Sequence, residues 1–255
     1  MNPKSNSGMA SVRENGDFTD FGILCGDERI DVHRVVISGQ SPVFYRACTS
    51  RFSEATSRTY KIDEFPLAIV QRMVEYMYTG DYSSPDEDST SEDNADHLPV
   101  LSVHTAMASL ADKYDIKGLV ALATERYTNT LKNDPDFEKF LDSVADIYRM
   151  PAEASQPLRD AAVEFARREA RTAVDSWKGW DKFQEVLSDC PQFSKEFLCS
   201  IIQRPVMPIL GHCGRCQQSG TKVPVEVLQC RCTNCGKTGA TLDPQEWSFE
   251  GVLGL

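Results

Sequence analysis

The chain has 255 residues and a mass of 28.5 kDa, of which 41% are hydrophobic and 25% charged. That is room for one or two domains plus a small appendage, with enough apolar material for a core. A formal net charge of −11 argues against binding a phosphate backbone, which needs clustered Lys and Arg, and no apolar run reaches the ~18 residues that would cross a bilayer.

Residues 1–17 are polar and rich in Ser and Asn, and they read as a disordered N-terminus without the apolar stretch of a secretory signal. An intracellular location, cytoplasm or nucleus, is therefore expected. In a reducing compartment the nine cysteines are more readily metal ligands than disulfides. Residues 20–25 and 29–32 read as two strands joined by a tight turn at Gly26-Asp27. Val35, Val36 and Ile37 start a helix. Ser41-Pro42 opens another, with Ser as N-cap, Pro at the first helical position, and Phe44, Ala47 and Cys48 on the buried face. Residues 58–62 read as a third strand.

A helix follows Pro66, with Ile69, Val70, Met73, Val74 and Met77 at helical spacing and Gly80 at its C-cap; Ile69, Val74 and Met77 are predicted core residues. From residue 83 to 97 six Asp and Glu stand among serines without periodicity. The stretch, taken as 83–99 with its flanks, reads as a disordered acidic insertion, or alternatively as an acidic binding or phosphorylation segment. Helical spacing returns at Leu101 and continues in short helices to Ile202.

The run from Asp31 to Phe44, with Val32-His33-Arg34, Ile37 and Ser41-Pro42-Val43-Phe44, resembles the signature of the BTB/POZ family. Two further landmarks agree in order and spacing: Glu75-Tyr76-Met77-Tyr78-Thr79-Gly80-Asp81-Tyr82, and Leu110-Ala111-Asp112-Lys113-Tyr114-Asp115. The resemblance covers about half the chain and is nearest to the stand-alone fungal type with an acidic insertion. It implies an α+β fold, a small sheet flanked by helices, and a role in protein–protein contact without catalysis. It further implies self-association in many members and presentation of substrates to a cullin-type ubiquitin ligase. Members that dimerise by strand exchange use an ordered N-terminal helix and strand, which the polar residues 1–17 do not suggest. The helices over 131–204 stand where other members carry a helical extension. The expected organisation is thus a disordered 1–17, a BTB/POZ-like domain over 18–130, an all-helical extension over 131–204 and a zinc-binding tail over 205–255. His33, beside an apolar run, is expected to be a buried structural histidine whose ring donates to a backbone carbonyl.

In the tail, Cys213-x-x-Cys216 and Cys232-x-x-Cys235 are separated by fifteen residues. This is the spacing of a zinc site, because each two-residue gap lets both thiolates of one turn reach one ion. Val223, Val225 and Val227 alternate between the pairs as in a strand of a zinc ribbon. Cys230 could replace Cys232, and His212 could enter a variant site. Four thiolates would close the shell, so a structural zinc ion is expected, not a catalytic one.

No phosphate-binding loop, nucleophile elbow or zinc-protease motif occurs. Gly236-Lys237-Thr238 mimics the end of a P-loop, but Arg231 stands where that motif needs Gly. The function expected is a protein-interaction adaptor, with no catalytic residues, no small-molecule substrate and no membrane. The alternative is a zinc-dependent nucleic-acid-binding regulator. It is disfavoured because only Arg215, Lys222, Arg231 and Lys237 lie near the cysteines.

Overall fold

The turn at Gly26-Asp27 sets the geometry of the sheet. Gly26 has φ +58°, the left-handed conformation that a Gly-first hairpin turn demands and a side chain resists. It joins β1 (Phe21–Cys25) to β2 (Glu28–Val32) in an antiparallel pair with Ile23 opposite Ile30 and Phe21 opposite Val32. All four side chains are buried on one face. A third strand, β3 (Thr59–Lys61), runs parallel to β1 on its other edge, so the order is β2-β1-β3.

The structure is a computed structural model and describes residues 7–49, 53–84, 98–133, 135–176 and 180–204. By its internal contacts the chain divides into Met1–Arg204 and Pro205–Leu255. The second unit lies outside the described residues. So do 85–97, most of the predicted acidic insertion. The described start of that insertion is tied down: the Ser83 amide and hydroxyl both donate to the Glu75 carboxylate, at 3.0 and 2.9 Å.

Between β2 and β3 lie α2 (Arg34–Gln40), α3 (Pro42–Thr49) and α4 (Ser53–Ser57). Ser41 caps α3 as its position predicts, accepting from the Phe44 amide at 3.2 Å. Next comes α5 (Leu67–Thr79), which buries Ile69, Val70, Met73, Val74 and Met77 completely. It ends at Gly80, φ +81°, whose amide donates back to the Tyr76 carbonyl at 2.8 Å. The long pair α6 (Val100–Lys113) and α7 (Lys117–Asn133) completes the domain that surrounds this core.

The N-terminus corrects an expectation. Within the stretch read as disordered, Ser7–Glu14 form α1, which packs on α5. Met9 and Ala10 rest against the core, and the Arg13 guanidinium lies 5.3 Å from the centre of the Tyr78 ring. Eight residues are too few to be helical alone, so the helix exists by its tertiary contacts and its polar composition conceals it.

The extension comprises α8 (Phe137–Arg149), α9 (Ala152–Ser176), α10 (Trp180–Asp189) and α11 (Pro191–Gln203). It is packed on α6 and α7 and shares their apolar core. Its interior is aromatic: Phe140 lies 4.7 Å from Phe165, and Phe137 5.5 Å from Phe183, ring centre to ring centre. No helix among the described residues is long and apolar enough to cross a membrane.

Candidate interaction surfaces

The three family-like landmarks converge in space, and they do so as packing. Val32, Ile37 and Phe44 are fully buried, and His33 and Ser41 nearly so. Tyr78, from the second landmark, meets His33 from the first. The His33 amide donates to the Tyr78 oxygen at 2.8 Å, and His33 Nε2 faces the Asp17 carbonyl at 2.9 Å. A carbonyl can only accept, so in the neutral ring Nε2 carries the proton. Nδ1 then accepts from the Tyr78 hydroxyl at 2.7 Å. His33 is the buried structural histidine its surroundings predict, bonded to a backbone carbonyl. Tyr114, from the third landmark, stacks on Phe44 at 5.0 Å and accepts the Ser41 hydroxyl at its carbonyl.

A missing cap is supplied from a distance. The side chain of His33, at the N-cap of α2, caps nothing. Asp20 does so instead, accepting from the Arg34 amide and from Arg34 Nε, each at 2.8 Å. Partial burial works against charge on Asp20, but the Arg34 amide and guanidinium outweigh it and hold the carboxyl below its ordinary range. Nothing local in the sequence marks this cap, because its two halves are fourteen residues apart.

These contacts leave two apolar side chains in water. Phe18 is 88% exposed and Val35 76% exposed. The segment carrying Phe18 is held to the start of α2 by the flanking Asp17–His33 and Asp20–Arg34 contacts. Phe18 also has φ +57°, which a bulky side chain disfavours. The strained backbone thus presents an aromatic ring to solvent. Tyr45, on α3, is likewise exposed.

The second buried histidine is His104 on α6, whose Nδ1 faces the Tyr82 hydroxyl at 2.8 Å. Burial, assisted by the charges of Arg126 and Arg72, pushes His104 down to about 4. Tyr82 is pushed up by its own burial, so the hydroxyl donates to a neutral ring. Arg126 covers the Tyr82 ring at 4.3 Å and pairs with Asp81. The result is a closed structural lock beside the acidic insertion.

Cys213, Cys216, Cys232 and Cys235, with Cys230 and His212, lie outside the described residues. Among the described residues no cluster of His, Cys, Asp and Glu could hold a metal, and Cys25, Cys48, Cys190 and Cys199 are free thiols.

The sequence model of the family described as BTB/POZ domain matches residues 9–131, from within α1 to the last turn of α7. Mouse TD and POZ domain-containing protein 2 is 22% identical over 180 residues, covering 69% of this chain and 43% of that protein. This match is too long to fit within 9–131, so it runs on into the helical extension. BTB and MATH domain-containing protein 42 of Caenorhabditis elegans is 28% identical over 167 residues, which cover 64% of this chain and 35% of that protein. The chain thus spans less than half the length of these relatives. Among solved structures, the BTB domain of human Gigaxonin aligns with a TM-score of 0.34 and 16% identity, over 46% of this chain and 83% of that one. The family match begins in α1, the helix that the polar N-terminus conceals, and it spans all three landmarks. Residues 9–131 of this chain are therefore a BTB/POZ domain, a protein–protein interaction module.

Proposed function

We propose that the chain is a non-catalytic adaptor that self-associates through its N-terminal face and presents partners to a cullin-type ubiquitin ligase. The observation that carries the reading is the pair Phe18 and Val35, exposed to water on a face whose backbone is pinned by His33 and Asp20. An ordered α1 beside this face removes the objection to self-association that a disordered N-terminus would raise. The cullin contact and the intracellular setting rest on the family resemblance. The acidic stretch between α5 and α6 supports grouping the chain with the stand-alone fungal type. The tail contributes one structural zinc ion, held by Cys213, Cys216, Cys232 and Cys235; the spacing of the two Cys-x-x-Cys pairs supports this.

Light scattering on the purified chain tests the association. Wild type is expected as a dimer or larger, and Phe18→Ser with Val35→Glu is expected to be monomeric and equally stable. A monomeric wild type refutes the self-association. Co-purification with a panel of cullins then tests the adaptor role separately. If no cullin is retained, the presentation role fails, whatever the oligomeric state.

A further inference from the structure

We propose that the helical extension carries a second docking surface, a groove between α8 and α10 that receives a short, basic, amphipathic helix from a partner protein. The groove has a volume of about 580 Å³, within the range of formed binding sites. Leu141, Ala145 and Tyr148 line it from α8, at the i, i+4, i+7 positions of one helix face. Val186 lines it from α10, and Pro191 lines it where the chain turns into α11. Lys182 lines it too, and its ammonium spans from α10 to Asp142 on α8 at 2.6 Å. The α8 lining rises ~12 Å, about two turns of helix. That length fits two turns of an occupant with one apolar stripe.

Charge selects the occupant. The two cations beside the groove are already taken, Lys182 by Asp142 and Arg149 by Asp146. Glu185 and Asp189, one turn apart on the α10 rim, are exposed and have no ion-pair partner among the described residues. The unmet charge of the rim is therefore negative. A segment that seats apolar side chains on Ala145, Tyr148 and Val186 and places Lys or Arg against Glu185 and Asp189 satisfies both the floor and the rim. This surface lies outside the BTB/POZ domain and does not depend on self-association or a cullin.

Two synthetic peptides of about 15 residues test the proposal, with the same Leu stripe at helical spacing but all-Lys or all-Glu polar positions. The full chain is titrated with each by calorimetry, and the footprint is mapped by hydrogen exchange. The Lys peptide is expected to bind and to protect α8 and α10. In the exposed-site variant Glu185→Lys/Asp189→Lys its affinity is expected to fall at least about tenfold, while the Glu peptide gains. Val186→Glu, which spoils the floor, is expected to weaken the Lys peptide as well. Equal affinity of the Lys peptide for wild type and the charge-reversed variant would reveal general attraction to an acidic chain and overturn the proposal. A footprint elsewhere overturns it too, as does self-association abolished by Val186→Glu, which would make the groove a contact between copies.

Discussion

His33 and His104 are both buried, and they are stabilised in different ways. His33 has a partner for each ring nitrogen, and the Asp17 carbonyl fixes its tautomer. His104 is held neutral by burial and by the nearby Arg126 and Arg72 charges. That difference predicts a pH dependence. The folded protein holds His104 at about 4, below the ordinary 6.5, so the unfolded chain takes up the proton first as pH falls. The stabilisation is complete above about pH 6.5 and is lost as pH falls towards 4. The loss is about 3 kcal/mol for this one group, at 1.36 kcal/mol per pKa unit. Urea unfolding of wild type and His104→Asn at pH 7 and pH 4.5 checks it. Wild type should lose more stability than the variant over that interval. Titration of the folded His104 ring near 6.5 by NMR would show the burial argument to be wrong.

At the scale of elements, one buried hydroxyl pair links the domain to its extension. Ser143 of α8 donates to the Phe140 carbonyl at 2.7 Å, so its only proton is used. Tyr127 of α7 must therefore be the donor in the 2.9 Å contact between the two hydroxyls. Removing either partner has unequal consequences. Tyr127→Phe deletes a donor and leaves Ser143 still bonded, for about 1 kcal/mol. Ser143→Ala strands the buried Tyr127 hydroxyl without an acceptor, for about 1–3 kcal/mol. Denaturant midpoints should rank wild type above Tyr127→Phe and Tyr127→Phe above Ser143→Ala; the reverse order would mean the donor assignment is wrong. Helices that carry their own pattern are legible in the sequence. The stripe from Ile69 to Met77 and the Gly80 cap locate α5, and Ser41-Pro42 locates α3. Elements defined by contacts are not legible. α1 shows only Met9, Ala10 and Val12, and α4 is a five-residue helix without a large apolar side chain. α9 begins at Ala152, not at Leu158 where periodicity resumes, because Pro157 is exposed in its second turn and the missing amide bond faces water. The docking groove of the extension is equally hidden. Its floor joins residues from two helices that are separated in the chain by the whole of α9, and its unmet charge emerges only once the neighbouring ion pairs are known.

At the scale of the whole molecule, the chain divides after Arg204, and the zinc proposed for the second unit is a source of stability that the first does not use. The first has a continuous apolar core from Phe21 to Phe193. The fifty-odd residues that follow hold five of the nine cysteines and only two aromatic side chains, Trp247 and Phe249. A unit that small needs a source of stability besides burial, and structural zinc supplies ~10–16 kcal/mol in units of this size. Elemental analysis of the purified chain is expected to find about one zinc per molecule. Because thiolates must lose their protons to bind, zinc affinity should fall as pH is lowered. Cys232→Ser is expected to release the ion, or to retain it more weakly through Cys230. Chelation should leave the main melting transition of residues 1–204 in place, since none of its core residues is a ligand. A main transition that collapses on chelation would show that the first unit depends on the metal. One equivalent of zinc retained after Cys213, Cys216, Cys232 and Cys235 are all replaced by Ser would place the site elsewhere.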